Sequence, residues 1–141
     1  MKLGEEPWRV HTVGEPALNV ASGILKQKVG SISGKKRDYT LATFHPCLAD
    51  PLGIPEQTDF FLDCLNTLSG KITITGPNPD AYSNQVYEKI KIFSSKNSNV
   101  EFKNNLGAKY YESLAKATLL IGNSSSGIWE SATFKVPTIN I

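Results

Sequence analysis

Short runs of apolar and β-branched residues recur along the 141-residue chain and alternate with stretches of helical periodicity. Runs such as 38–44 and 71–75 have the content of buried β-strands. Glycine and proline follow several of these runs and mark where the strands end. The predicted strands are 9–13, 38–44, 71–75, 100–102, 118–121 and 136–141.

Helices are predicted between the strands, where apolar residues recur three or four positions apart. The clearest one opens at Pro55, carries Phe60 and Phe61 on its apolar stripe, and ends at Gly70 as a C-cap. The polar, glycine-rich stretch 30–37 predicts a loop. The predicted helices are 16–30, 55–70, 83–93, 110–117 and 127–134.

Strands that alternate with helices predict an α/β fold with a doubly wound parallel sheet, here of six strands in one domain spanning 1–141. Right-handed crossovers bring all strand-to-helix loops to the carboxyl edge of such a sheet, where ligands bind. The last predicted strand has no helix after it, so we expect the domain to be truncated at its C-terminal end.

Composition narrows the function classes. The net charge of +2 and the 40% hydrophobic content favour a folded domain and argue against nucleic-acid or membrane partners. Cys47 and Cys64 form no CxxC motif, and no Cys/His set has metal-ligand spacing, so we expect no metal and no cofactor. A reduced, cytoplasmic protein fits this pattern.

The most informative segment is 121–132, IGNSSSGIWESA, which follows a predicted strand and opens a predicted helix. Ser124, Ser125 and Ser126 offer hydroxyl groups beside the free N–H groups of a helix start, which suits a phosphate or diphosphate. Serine N-capping of the helix is the alternative explanation, at near even odds from spacing alone.

Two titratable residues join this segment as candidates. Glu130, predicted to lie one and a half turns into the helix, could accept hydrogen bonds from a ribose diol, although an exposed glutamate is the commoner case. His45 follows the strand 38–44 and could stabilise a departing phosphate or move a proton. His11 is predicted to be structural, within the first strand.

Asparagines follow two further predicted strands. Asn78 and the Asn104–Asn105 pair lie in loops at the same expected edge, where each could contact a ligand or simply form a turn. Taken singly, the turn is the stronger interpretation. Since four loops at one edge each carry a polar candidate, the residues together predict binding of a nucleotide-like anion more clearly than they predict catalysis.

These segments resemble the UDP-N-acetylglucosamine 2-epimerase family, hydrolysing branch. The run GNSSSGIWESATFKVPTINI is similar to the family's GNSSSGI-x-E-A segment and the P-x-INIG run after it. The segments VGEPALN, TFHP and TGPNPDA look like its G-x-P-G-L-D, T-x-H-P/R and P-N-x-D-A-G motifs. Ser131 replaces the family's alanine, and the match ends before the family's RQ-x-GR arginine.

The resemblance implies the Rossmann-like C-terminal domain of a GT-B fold, with UDP held in the cleft against an N-terminal domain absent from this chain. It implies that UDP is eliminated from UDP-N-acetylglucosamine and that water then adds, giving N-acetylmannosamine. The proton-moving carboxylates belong to the absent domain, so 1–141 alone is expected to be inactive. The parent enzyme is expected to form a homo-oligomer.

The resemblance also implies residue roles. Ser124, Ser125 and Ser126 would hold the diphosphate and Glu130 the ribose. His45 would contact the diphosphate and assist catalysis, Asn78 would touch the substrate, and the Asn105 loop would hold the uracil.

Three alternatives stay open at this point. A UDP-linked 2,4-diacetamido sugar could be the substrate, since the sugar lies mostly against the absent domain. A nucleotide-sugar glycosyltransferase domain would share the same fold and serine-rich helix start. A non-catalytic nucleotide-binding or interaction module would be favoured by an exposed Trp129, although we expect that residue to pack inside the protein.

Overall fold

The computed structural model describes residues 4–32 and 38–141, with side chains given outside 27–32. Its elements alternate between helix and strand over almost the whole described chain. In chain order they are α1 Pro16–Ile32, β1 Tyr39–Thr43, α2 Ile54–Asn66, β2 Lys71–Thr75, α3 Ser83–Lys96, β3 Val100–Lys103, α4 Tyr110–Lys116, β4 Ala117–Gly122, α5 Ser126–Trp129 and β5 Thr138–Asn140.

The five strands form one parallel sheet in the order β3-β2-β1-β4-β5. The chain therefore winds outward from β1 in one direction, then crosses to β4 and winds in the other. The sequence prediction of a doubly wound α/β fold is confirmed. Loops diverge between the carboxyl ends of β1 and β4, the topological switch point where such sheets bind ligands.

Two apolar clusters cover the two faces of the sheet. On one face, α2 and α3 pack through residues such as Phe61, Leu65 and Ile90. On the other, α1 and α4 pack through Ala21 and Leu114 among others. β1, β2 and β4 were recognisable in the sequence because they are rich in β-branched and aliphatic residues, which suit a sheet covered on both faces.

The predicted strand at 9–13 is wrong. Residues Pro7–Arg9 form a 3₁₀ turn, and the following residues have no regular structure. Val10 and Val13 are exposed and have no strand to pair with, so a local apolar pattern was not sufficient. The described sheet has five strands rather than six, and His11 is exposed on this irregular segment instead of lying in a strand.

Several helix boundaries also differ from the prediction. The first helix runs on to Ile32, so 30–32 are helical, while the rest of the predicted 30–37 loop lies outside the described residues. Helix α2 ends at Asn66 with Thr67 as its cap, four residues before the predicted end at Gly70. Phe60 is 60% exposed, because Phe61 and Leu62 take the inward positions.

The largest change affects the serine segment. The predicted helix 127–134 is reduced to the single turn Ser126–Trp129, followed by further turns up to Lys135. Lys135, directly after this segment, has a positive φ of 53°. Trp129 is 51% exposed, so the expectation that it packs inside the protein was wrong.

Candidate functional site

The carboxyl edge of the sheet holds a cavity of about 260 Å³. His45 after β1, Asn78 after β2, Asn105 after β3 and Ser124 after β4 all line it. The parallel sheet thus brings together one predicted residue from each of four loops. The remaining lining residues are Thr43, Thr75, Gly76, Pro77, Pro79, Asn104, Leu106 and Tyr110. None of these lining residues is a lysine, arginine, aspartate or glutamate.

Hydrogen bonds between loops fix the floor of this cavity. The buried hydroxyls of Thr43 and Thr75, at the ends of neighbouring strands, lie 2.5 Å apart. Beside them, the backbone N–H of Asn78 donates to Nδ1 of His45 at 3.0 Å. The His45 ring is therefore held by the neighbouring loop and not only by its own backbone.

The side chain of Asn123 binds the backbone of His45 at two points. Its Oδ1 accepts from the His45 N–H at 2.8 Å, and its Nδ2 donates to the His45 carbonyl, also at 2.8 Å. The amide thereby replaces a strand neighbour at the point where β1 and β4 diverge. The position of His45 and the position of the serine segment are coupled through this one side chain.

Two glycines allow the loops to approach this closely. Gly122 has a φ of +140°, and a Cβ there would lie 1.7 Å from the Thr43 carbonyl oxygen. A Cβ on Gly76 would lie 2.5 Å from the carbonyl oxygen of Asn104. Any larger residue at either place would separate the strand ends that form the cavity.

The three serines have different environments. Ser125 is exposed and makes no side-chain cap bond, so its hydroxyl is available, and Ser124 accepts only a long 3.4 Å bond from the Ser126 N–H. The buried Ser126 hydroxyl accepts from the Tyr110 hydroxyl at 2.6 Å. Because α5 is a single turn, the dipole of a long helix contributes little here, and an anion would depend on local donors.

Glu130 caps the end of α5 instead of lying inside a helix, because its backbone N–H bonds to the Ser126 carbonyl. One carboxylate oxygen, Oε2, is buried and has no hydrogen-bond partner among the described residues. A buried carboxylate oxygen without a donor is costly, and this oxygen is also closed off from solvent. Glu130 does not line the cavity. Tyr110, which does, is close enough for the carboxylate to influence it.

The two predicted asparagines serve partly as turn formers. The Asn105 side chain accepts from the Gly107 N–H at 2.7 Å, and the Asn78 carbonyl accepts from the Asp80 N–H at 2.8 Å. Both residues are exposed at the cavity. The amide nitrogen of Asn105 is not used in that turn and could still meet a ligand.

The electrostatics of the site come from partial burial. Burial lowers the pKa of the His45 imidazole below its ordinary value of 6.5, and the Asp80 carboxylate opposes part of that shift. Burial raises the pKa of the Tyr110 hydroxyl, against the effect of the Ser126 hydrogen bond, and the Glu130 carboxylate adds to the rise. Near neutral pH both side chains are therefore uncharged hydrogen-bonding groups.

Sequence reasoning missed Asn123 and Tyr110. Asn123 lies inside the GNSSSG run, and the only available signal was that a side-chain amide directly after a strand is able to pair with a neighbouring backbone. Tyr110 was treated only as the first residue of a helix. Its part in the site depends on the hydrogen bond to Ser126, and nothing in the local pattern signals that contact.

Other site types find little support among the residues that the structure describes. No group of three or more His, Cys, Asp or Glu side chains there could hold a metal ion. Within 4–32 and 38–141, no helix is long and apolar enough to cross a bilayer. A larger cavity of about 640 Å³ lies at the amino edge of the sheet, lined by charges of both signs, and contains none of the predicted site residues.

The family model of the UDP-N-acetylglucosamine 2-epimerases matches residues 1–141. The chain belongs to this family. It is 34% identical over its whole length to a GDP/UDP-N,N'-diacetylbacillosamine 2-epimerase (hydrolyzing) from Campylobacter jejuni. It is 26% identical, again over its whole length, to a UDP-N-acetylglucosamine 2-epimerase from Neisseria meningitidis. The chain spans 39% and 38% of the lengths of these two relatives.

Among solved structures, one similar fold is the crystal structure of UDP-GlcNAc 2-epimerase from Neisseria meningitidis bound to UDP-GlcNAc. The likeness has a TM-score of 0.47 and 17% sequence identity, and it covers 86% of this chain and 33% of that one. No residue role follows from a likeness of this size.

Proposed function

We propose that the chain supplies the UDP-binding half of a hydrolysing UDP-N-acetylglucosamine 2-epimerase. The observation that carries this proposal is the convergence of His45, Asn78, Asn105 and Ser124 on one cavity at the switch point of the sheet. Family membership supplies the reaction class, and the site chemistry suggests how this half of the enzyme takes part.

The size of the cavity supports a half-site. Complete small-molecule pockets usually enclose roughly 300–1,000 Å³, and this one has about 260 Å³. A nucleotide-sugar would therefore be only partly enclosed, and the remainder would lie against a second domain. The chain spans 39% of the length of its C. jejuni relative, which leaves room for such a domain in the whole protein.

In the proposed complex, neutral donors hold the diphosphate and Glu130 holds the ribose. Ser124, Ser125 and the His45 ring would donate to phosphate oxygens, and Glu130, whose carboxylate lies outside the cavity, would turn toward it to accept from ribose hydroxyls. Among the described residues, no lysine or arginine lines the cavity. We therefore expect weak binding by the chain alone, with a Kd on the order of 1 mM, or about −4 kcal/mol.

The reaction removes a proton from the second carbon of the sugar and breaks the bond from the first carbon to the diphosphate oxygen. The electron pair of that bond leaves with UDP, so negative charge grows on the phosphate. Donors from His45 and the serines would stabilise that charge. Water then adds to the glycal to give N-acetylmannosamine. The proton-moving carboxylates would come from the second domain, so the chain alone is expected to show no turnover.

A second candidate substrate is a UDP-linked 2,4-diacetamido sugar. The identity to the C. jejuni 2-epimerase, 34%, exceeds the 26% to the N. meningitidis enzyme. The same UDP-binding half would serve either sugar. Turnover of UDP-N-acetylglucosamine and of UDP-N,N'-diacetylbacillosamine by the whole parent protein would decide between them.

Titration of the isotope-labelled chain with UDP, followed by backbone amide shifts, tests the binding proposal. We expect shifts at 124–127 and around Asn105, larger for UDP than for UMP. Glu130→Gln should remove the preference for UDP over 2'-deoxy-UDP, because the amide no longer accepts two hydrogen bonds as a carboxylate does.

The matched control is Glu101→Gln, which changes an exposed carboxylate on β3 at the other edge of the sheet. That variant should keep the wild-type preference for UDP. A folded sample whose amides at 124–127 stay in place at about 10 mM UDP, ten times the expected Kd, would contradict the proposed function.

A further inference from the structure

Two asparagines from two neighbouring loops surround His45 and determine how its ring is used. The Asn78 N–H donates to Nδ1, and the Asn123 side chain binds the backbone N–H and carbonyl of His45. Both contacts join groups of the protein itself, so they can be tested apart from binding.

The bond from Asn78 decides which ring nitrogen carries the proton. A nitrogen that accepts a hydrogen bond has its lone pair in use, so a neutral imidazole with an acceptor Nδ1 must hold its proton on Nε2. Protonation of Nδ1 would place an N–H against the Asn78 N–H. The imidazolium form would lose this bond, and the neutral Nε2–H form is favoured.

The Asn123 amide makes that arrangement geometrically reproducible. A single hydrogen bond leaves a backbone free to rotate about it, whereas two bonds to the N–H and the carbonyl of the same residue fix its orientation. The direction of the His45 Cα–Cβ bond is thereby fixed, and Nδ1 lies where it accepts the Asn78 N–H. Nε2 has no hydrogen-bond partner among the described residues, and His45 lines the cavity beside Ser124.

We propose that Asn123 and the backbone of Asn78 are positioning groups that hold His45 as a neutral Nε2–H donor for the anion at the switch point. The statement about the ligand rests on the proposed function, while the statement about the tautomer does not. In this arrangement His45 stabilises the leaving diphosphate by hydrogen bonding. It does not act as a base through Nδ1.

Nitrogen shifts of the His45 ring test the tautomer directly. In the ligand-free chain above pH 7.5, well past the ordinary histidine pKa of about 6.5, Nδ1 is expected at the unprotonated position and Nε2 at the protonated one. The Asn78 amide should move with the same pH midpoint as the ring carbons of His45, because protonation of Nδ1 breaks their bond. A ring with its proton on Nδ1, or an Asn78 amide that ignores the titration, overturns the proposal.

The titratable groups around the ring are Asp80, which raises the His45 pKa, and Tyr110 on the cavity wall. Asp80→Asn should therefore lower the pH midpoint of the His45 ring carbons and of the Asn78 amide together. Separate movement of the two signals would mean that the Asn78 amide senses Asp80 and not His45, which also overturns the proposal.

Asn123→Ala tests the positioning role. We expect the ring nitrogens to shift toward the averaged values of mixed tautomers and the UDP affinity to fall about two- to tenfold, as for loss of one hydrogen bond. Asn99→Ala is the control, since the Asn99 amide likewise bonds a backbone carbonyl, that of Gly70, but at the amino edge. Unchanged ring nitrogens in folded Asn123→Ala would contradict the inference.

A pair of His45 variants separates this inference from the proposed function. The side-chain nitrogen of glutamine can reach the place of Nε2, and that of asparagine cannot, so His45→Gln should bind UDP more tightly than His45→Asn. If UDP shifts the amides at 124–127 but the two variants bind equally, the inference fails and the proposed function stands. If UDP shifts nothing although the tautomer is as expected, the proposed function fails and only the ligand-free arrangement remains.

Discussion

The two edges of the sheet differ in the way that matters for function. The amino edge has the larger cavity, about 640 Å³ against about 260 Å³, and it is lined by charges of both signs, including Lys71, Glu101 and Lys116. The carboxyl edge has a smaller cavity without a charged lining residue, but hydrogen bonds between loops hold its polar groups in place. Fixed donors, and not volume, distinguish a site that can recognise one molecule.

Most charged side chains of the amino edge are exposed to solvent. The salt bridge of Glu101 to Lys103, for example, joins two exposed side chains and contributes little to stability or order. At the carboxyl edge, two hydrogen bonds from the Asn123 side chain fix the backbone of His45, and Gly122 lies close against the neighbouring strand. Hydrogen bonds between elements also occur at the amino edge, as from the Asn99 side chain to the Gly70 carbonyl, but most of the charged side chains there are exposed.

The largest effect is expected from adding a methyl group at the carboxyl edge, where β4 approaches β1 closely. Gly122→Ala is expected to destabilise the protein by about 3–5 kcal/mol, because the new Cβ meets the Thr43 carbonyl and the φ of +140° disfavours any side chain. Urea denaturation followed by circular dichroism would measure the change in the free energy of unfolding.

Gly70→Ala is the matched change at the amino edge. Its φ is +95° but its Cβ would meet nothing within 4 Å, so a loss of only about 1–2 kcal/mol is expected. Equal losses for the two variants would mean that backbone conformation alone, and not the approach of β4 to β1, makes Gly122 necessary.

A second, smaller effect concerns pH. The His45 pKa in the folded protein is below 6.5, so the folded state binds fewer protons than the unfolded state as the pH falls. The stabilisation that the neutral His45 ring contributes to the folded state is complete above pH 6.5. It decreases as the pH falls from 6.5 through the lower folded-state pKa of His45. Urea midpoints measured between pH 8 and pH 5 would show this decrease.

His45→Gln should flatten that part of the pH profile, since it removes the titrating ring. His11→Gln, which changes an exposed histidine outside the sheet, is the control and should keep the wild-type profile. A wild-type profile that persisted in His45→Gln would assign the pH dependence to other groups.

The smallest expected effect is at the amino edge. Lys71→Ala and Lys116→Ala should change the UDP affinity by less than about twofold at 0.15 M salt, because charges on the far side of the sheet are screened beyond roughly 8 Å. Isothermal titration or the amide-shift titration would measure this. A loss of fivefold or more would show that the nucleotide uses the larger cavity, and the comparison of the two edges would be reversed.

The core of the fold could be predicted from sequence because burial on both faces leaves a local record. β1 and β2 were found within one or two residues, since YTLAT and KITIT carry the β-branched and aromatic residues that strands favour. The same reasoning failed at 9–13, where Val10 and Val13 look like strand residues but are exposed. A strand needs a partner, and a local pattern does not show whether one is present.

The sequence predicted which residues meet at the candidate site, but not the contacts that they make there. Parallel connections bring the loops after successive strands to one edge, so the meeting of His45, Asn78, Asn105 and Ser124 follows from topology. The length of α5 was not predictable, because the turns after Trp129 belong to a segment that packs against the sheet through Phe134 and Val136.

By itself, the sequence determined the alternation of strand and helix, the family, and the set of residues available at the carboxyl edge. Only the tertiary structure decided what those residues do to one another. Asn123 binds the His45 backbone, Asn78 occupies Nδ1, and Tyr110 engages Ser126. Hydrogen bonds depend on distance and direction between groups far apart in the chain, and folding alone sets these quantities.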